Sequence, residues 1–196
     1  HLALIDSAQA SPLVRLIDLG STVEGRDMNL LVVGDADAEK KVWVIARQHP
    51  GETMAEWFVE GMLEALLDQA NPFARQCLQD AVFYVVPNMN PDGSVHGNLR
   101  TNAAGANLNR EWMTPTMERS PEVLCVKNKI HETGVDMFFD IHGDEALPYN
   151  FVAGNEMLAD FTPERAARQK AFVDQYRAAS PDFQNVYGYA ASKYNE

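Results

Sequence analysis

Val42-Trp43-Val44-Ile45-Ala46-Arg47-Gln48-His49-Pro50-Gly51-Glu52-Thr53 is the stretch whose reading decides the fold. Its first five residues are an apolar, β-branched and aromatic run, the signature of a buried strand. A His and a Glu three residues apart follow its carboxyl end, with a Pro-Gly bend between them. That bend lets both side chains converge on one point, an arrangement suited to a metal ion. An isolated His-x-x-Glu also fits a blander arrangement, a capping His with a Glu placed favourably at the next helix N-terminus. The metal reading therefore needs a third ligand. Phe138-Phe139-Asp140-Ile141-His142-Gly143 offers it, a second apolar run that ends in a His.

Downstream of Thr53 the period becomes helical. Met54, Trp57, Phe58, Gly61, Met62, Ala65 and Leu66 share one side and Glu56, Glu60 and Glu64 the other, with Thr53 and Glu56 placed as a capping box. Asn71-Pro72 starts a short helix to about Leu78, and Ala81 to Val86 reads as the next buried strand. Strand, helix, strand predicts a right-handed crossover and parallel pairing. Upstream, residues 1 to 10 read as the end of a helix. Leu13 to Leu19 and Met28 to Val33 read as an antiparallel pair joined by a turn-rich connector. Residues 87 to 120 form a long polar segment rich in Asn and Gly, a length that marks a functional loop. A helix from Glu122 to Glu132, a strand from Val135 to Ile141, a helix from Pro163 to Ala179 and a polar tail complete the chain. The expected fold is α/β, a mixed, largely parallel twisted sheet flanked by helices.

The bulk properties are those of a globular domain. The chain has 196 residues, 46% of them hydrophobic and 22% charged, enough for one sizeable core. A net charge of -12 disfavours nucleic acid and anionic membranes as partners. No apolar run reaches the roughly 18 residues of a membrane span, and residues 1 to 10 lack the features of a signal peptide. A cytoplasmic location is expected. Cys77 and Cys125 lack metal-ligand spacing. They allow a disulfide, although two buried free thiols in a reducing compartment is the favoured reading.

Two His and one Glu at strand ends make the ligand set of an open zinc site, whose bound water would ionise near pH 7. Five motifs in order extend the pattern: His49-Pro50-Gly51-Glu52, Asn88-Met89-Asn90-Pro91-Asp92-Gly93, Gly97-Asn98-Leu99-Arg100, Asn107-Leu108-Asn109-Arg110-Glu111-Trp112 and Asp140-Ile141-His142-Gly143. Together they resemble the zinc metallocarboxypeptidases, most closely the cytosolic carboxypeptidase branch, over about Pro12 to Gly154. The resemblance implies one Zn²⁺ held by His49, Glu52 and His142. It also implies that Arg100 polarises the scissile carbonyl and stabilises the oxyanion, and that Asn109 and Arg110 hold the terminal carboxylate of a peptide or protein substrate. By the same analogy, C-terminal acidic residues such as glutamate are candidate leaving residues.

The sequence departs from the family pattern in two places. Asn107 stands where many members carry an Asp that accepts a hydrogen bond from the first zinc His, and an amide raises the basicity of that His less. The family's catalytic Glu lies on a late strand, well past the last zinc His. None of Glu145, Glu156, Glu164 or Glu196 has an apolar strand around it. The expectation is an incomplete catalytic domain over residues 1 to 196, with a preceding β-sandwich domain and the final strands outside it. Two other functions fit the residues: a zinc amidohydrolase of N-acyl amino acids, and a non-catalytic module that binds C-terminal carboxylates.

Overall fold

A computed structural model describes residues 1–189. They divide into two compact units, residues 1–143 and a second unit that begins at Asp144. The first is a layered α/β unit. Its elements are α1 (Leu2–Gln9), β1 (Val14–Ser21), β2 (Asp27–Val33), β3 (Lys40–Ala46), α2 (Thr53–Leu67), α3 (Pro72–Asp80), β4 (Ala81–Val86), α4 (Pro91–His96), a 3-10 turn (Leu108–Arg110), α5 (Pro121–Thr133) and β5 (Met137–Ile141). The described strands form one mixed sheet in the order β1-β2-β4-β3-β5. β1 and β2 pair antiparallel, as do β2 and β4, while β3 runs parallel to both β4 and β5.

Period-2 alternation gives this sheet two buried faces. On one, Leu30, Val32, Trp43, Ile45, Tyr84 and Val86 pack with Val123 and Val126 of α5, and Trp43 stacks on Tyr84 with ring centres 4.9 Å apart. On the other, Leu31, Val33, Val44, Ala46 and Val85 meet Ile5 and Ala8 of α1 and Ala55, Val59 and Leu63 of α2. The chain leaves β3, crosses through α2 and α3 to β4 on one side, then returns through α5 to β5 on the other side. β3 is thus the point where the winding reverses. In parallel sheets the crevice at the carboxyl ends beside such a strand is where ligands bind.

Several expectations need correction. The capping box does not form, because helix α2 begins at Thr53 with Glu52 as its N-cap and no side-chain cap bond. The Glu56 carboxylate is instead taken by Arg47 Nη1 at 2.6 Å and His1 Nδ1 at 2.7 Å. That neutralisation lets Glu56 turn inward and rotates the buried face of α2. Ala55, Glu56, Val59, Leu63 and Leu66 are buried, whereas Met54, Trp57 and Phe58 lie exposed. The thiols differ as well. Both are free, but Cys77 is exposed on α3 and Cys125 is only half-buried, with burial raising its pKa. Finally, the long polar segment contains a short helix, α4, capped by the Asn90 side chain on Gly93 N–H and closed by Gly97 at φ 72°. Six residues are too few to show a helical period.

The second unit carries α6 (Pro163–Ala179), with Thr162 as its N-cap and Pro163 in its first turn. It also contains an isolated bridge between Asn150 and Phe183, and Tyr176 stacks on Phe183. No helix among the described residues is long and apolar enough to cross a membrane.

Candidate metal centre

β3 and β5 run parallel in register, Ala46 beside Ile141. Their carboxyl ends therefore release His49 and His142 on the same edge of the sheet. Arg47, the first residue past β3, adopts φ 58°, an uncommon conformation for a non-glycine residue. Its guanidinium secures the bend, Nε donating to Pro50 O at 3.0 Å and Nη1 to Glu56. Gly51 is needed because the Leu99 backbone crosses directly over it. A Cβ at this position would lie 3.0 Å from Leu99 O, the acceptor of the Gly51 N–H. The same bend presents Glu52 one residue before α2.

The result is a compact donor set. Nδ1 of His49 lies 2.8 Å from Glu52 Oε1, and Nδ1 of His142 lies 2.9 Å from Glu52 Oε2 and 3.2 Å from Nδ1 of His49. One ligand atom from each residue falls within 4.8 Å of the others, and His49 and Glu52 are buried. A tetrahedral zinc ion at about 2.0–2.1 Å from each ligand separates those ligands by about 3.3 Å. The two imidazole nitrogens, 3.2 Å apart, are close to that edge length, and the two Glu52 oxygens lie somewhat nearer to them, at 2.8 and 2.9 Å. The residues fit a zinc ion. A hydrogen-bond cluster alone would not need two Nδ1 atoms turned toward each other.

Electrostatics agree. Burial raises the Glu52 carboxyl, but hydrogen bonds from His142, His49 and the Gly143 N–H outweigh it and bring the pKa down to about 2. For His142, burial lowers the pKa, while Asp140 and Glu52 together lift it to about 10. The site is thus built to hold positive charge, as ring proton or as metal ion.

Each ring's outward nitrogen has its own acceptor. His49 Nε2 lies 3.0 Å from Asn107 Oδ1. His142 Nε2 lies 2.9 Å from Asp140 Oδ2. When Nδ1 ligates a metal ion the ring proton sits on Nε2, where Asn107 and Asp140 are placed to accept it and fix ring orientation. Arg100 Nη2 comes within 3.2 Å of His49 Nε2, and its Nη1 lies 3.8 Å from Glu52 Oε1. Arg100 and Asn107 thus both meet His49 at Nε2, with the Arg100 guanidinium left half-exposed. Asn109 and Arg110 follow Asn107 on the 3-10 turn, and the exposed Arg110 donates from Nη1 to Asn109 O at 3.3 Å. The loop before them is pinned by Asn102, whose Oδ1 accepts from Ala104 and Ala106 N–H and whose Nδ2 donates to Arg119 O and to buried Glu122.

The Asn88-to-Gly93 motif proves to be support. Asn90 Nδ2 donates to Gln48 O at 3.0 Å, and buried Asp92 accepts from Thr22, Glu24 N–H and Arg26. Sequence reasoning assigned no role to Asp140, Gln48 or Trp112. Asp140 carried a readable signal, since it lies two residues from His142 at the end of a strand and so shares its face. Gln48 and Trp112 gave none. Among the four glutamates considered as a base, Glu145 and Glu156 lie outside strands and helices and Glu164 on α6, all three exposed, while Glu196 lies outside the described residues.

The family model described as zinc carboxypeptidase matches residues 2–194. This chain belongs to the zinc carboxypeptidase family. A solved metallo-carboxypeptidase from Burkholderia cenocepacia is 59% identical and superimposes with a TM-score of 0.95, covering 99% of this chain and 53% of that one. A metallo-carboxypeptidase from Pseudomonas aeruginosa, in complex with (2-guanidinoethylmercapto)succinic acid, is 45% identical with a TM-score of 0.94, over 100% of this chain and 52% of that one. Cytosolic carboxypeptidase 6 of Mus musculus is 31% identical over 189 residues, 90% of this chain and 34% of the relative. The chain therefore spans about half the length of these solved structures and a third of the mouse relative. His49, Glu52 and His142 form the metal-binding triad typical of the zinc carboxypeptidase site.

Proposed function

We propose that this chain supplies the metal site and substrate-carboxylate loop of a metallocarboxypeptidase that hydrolyses the C-terminal bond of peptides or proteins. The convergence of His49, Glu52 and His142 beside Arg100 carries this reading. Zinc, when bound, polarises the scissile carbonyl and makes water a nucleophile at neutral pH. Arg100, already 3.8 Å from Glu52, swings onto the carbonyl oxygen and stabilises its developing negative charge. Arg110 offers a planar, fixed charge to the terminal carboxylate, and Asn109 an amide. The complex of the Pseudomonas neighbour with a succinic acid derivative supports carboxylate recognition in this fold.

The proton step needs a general base. No described glutamate after His142 stands on a strand, and the chain covers only about half of its solved relatives. We assign that base to a residue outside residues 1–196, within a catalytic domain of which these residues are part. A cytoplasmic setting accords with relatives named cytosolic.

The test is release of the C-terminal residue from peptides by the full protein that carries this chain. The panel comprises peptides ending in Glu, Leu or Lys, each with a free or amidated terminus. Hydrolysis of free termini only, lost in Glu52→Ala, supports the reading, and a preference for Glu endings would support acidic trimming. Faster turnover of N-acyl amino acids than of peptides would favour the amidohydrolase reading. Peptide binding without turnover would favour the binding module.

A further inference from the structure

The indole of Trp112 and the amide of Gln48 lie outside the donor set, yet they are joined to it through a chain of hydrogen bonds with only one consistent direction. Trp112 Nε1 is a donor only, and it meets Gln48 Oε1 at 2.8 Å. That contact fixes which end of the buried Gln48 amide is oxygen. The opposite end, Nε2, must then donate to Asp140 Oδ2, at 2.6 Å. The same Oδ2 accepts from His142 Nε2 at 2.9 Å. The other carboxylate oxygen, Oδ1, is buried without a hydrogen-bond partner among the described residues. All hydrogen bonding that orients Asp140 therefore passes through one atom, held on one side by Gln48 and on the other by the His142 ring.

We propose that Gln48 and Trp112 are positioning residues for the second metal ligand: the Trp112 indole sets the Gln48 amide, the amide holds Asp140, and Asp140 holds His142 with Nδ1 facing Glu52 and His49. The turn beginning at Asn107 then governs both histidines. Its first residue contacts the His49 ring directly, and Trp112 reaches the His142 ring through two intermediaries. Gln48 suits this role because it is fully buried, its own carbonyl is tied to Asn90, and it is the residue immediately before His49. The inference rests on the metal-site reading for its consequence, but not for its geometry.

The Nε2–H proton of His142 tests it, because that nitrogen is protonated in the imidazolium and in a ring that ligates through Nδ1 alike. In the metal-free chain, nitrogen-resolved NMR should show this proton shifted downfield and slow to exchange with water. Trp112→Phe removes the indole donor but keeps an aromatic ring for the edge contact with Phe138. It should speed exchange of the His142 proton and weaken zinc binding about tenfold, while leaving the His49 ring signals unchanged. Gln48→Met should do the same more strongly. Unchanged His142 signals in folded Trp112→Phe protein would overturn the relay, and so would equal changes at both histidines, which mark general loosening. Should Gln48→Met not fold, Trp112→Phe decides alone, since Trp112 is only half-buried. A wild-type chain that binds no zinc would sink the metal reading and leave the proton measurement standing.

Discussion

Asn107 Oδ1 lies 3.0 Å from Nε2 of His49, the acceptor position behind a metal-ligating imidazole. An amide there orients the ring without adding charge. Asn107→Asp is expected to tighten zinc binding, and Asn107→Ala to weaken it about tenfold, the lower end of what such outer partners contribute. Competition against a chromogenic chelator measures both, and equal affinities across the three proteins would show that Asn107 does not act on the ligand.

Glu52 bridges both histidines, so its removal should affect more than one ligand. Glu52→Gln keeps the size but loses the charge that offsets the ion. Zinc content per chain, measured by atomic absorption after dialysis, should fall from one to near zero. Retention of a full equivalent would place the metal elsewhere.

The metal-free site has a defined pH signature. The Glu52 carboxyl is lowered from 4.5 to about 2, so its contribution to stability is present above pH 4.5 and lost as pH falls toward 2. The His142 imidazole is raised from 6.5 to about 10, so its contribution is present below pH 6.5 and lost as pH rises toward 10. Both are complete only between about pH 4.5 and 6.5, where Tm of the zinc-free protein should peak. Zinc must displace the ring proton of His142, so its affinity should climb with pH across the neutral range. A Tm maximum above pH 8 without metal would contradict these assignments.

The face of α2 can be checked by two substitutions on the same helix. Leu63 is 2% exposed and packs toward the sheet, so Leu63→Ala should cost about 2–5 kcal/mol. Trp57 is 68% exposed, and Trp57→Ser should fall within about 0.5 kcal/mol of wild type. Urea unfolding midpoints distinguish this from the reverse ranking that the helical pattern alone would give.

Gly51→Ala would drive a Cβ to 3.0 Å from Leu99 O and 2.8 Å from Leu99 Cδ1. The side chain can move but the carbonyl cannot without losing the Gly51 N–H bond. Destabilisation of about 1–3 kcal/mol is expected, with weakened zinc binding, because the same bend aims Glu52.

Much of this was readable in the sequence. The apolar runs ending at Ala46, Val86 and Ile141 are strands because the core on both sheet faces demands continuous hydrophobic segments. The His49, Glu52 and His142 triad was readable because each residue follows such a run or its bend. The face of α2 was not. Two apolar stripes run along that helix, and the choice between them depends on Arg47 and His1 binding the Glu56 carboxylate, contacts that no local period encodes. Gln48 was equally silent, since an amide next to a metal ligand acquires meaning only when Trp112 and Asp140 arrive from distant parts of the chain.

The parallel register that sets Ala46 beside Ile141 also gives the metal a mechanical role. β5 ends the described sheet, with Met137 and Phe138 partly open to solvent, so it has a paired neighbour on one side only. An ion shared by His49 and His142 is a crosslink between two strands that are otherwise joined by ladder hydrogen bonds and the packing of Phe139 and Ile141 with Val44 and Ala46. At a hundredfold excess over its Kd, zinc would add about 2.7 kcal/mol to the folded state. Much of that gain should appear as slowed amide exchange along β3 and β5, where a slip of one residue would pull the two rings apart and release the ion.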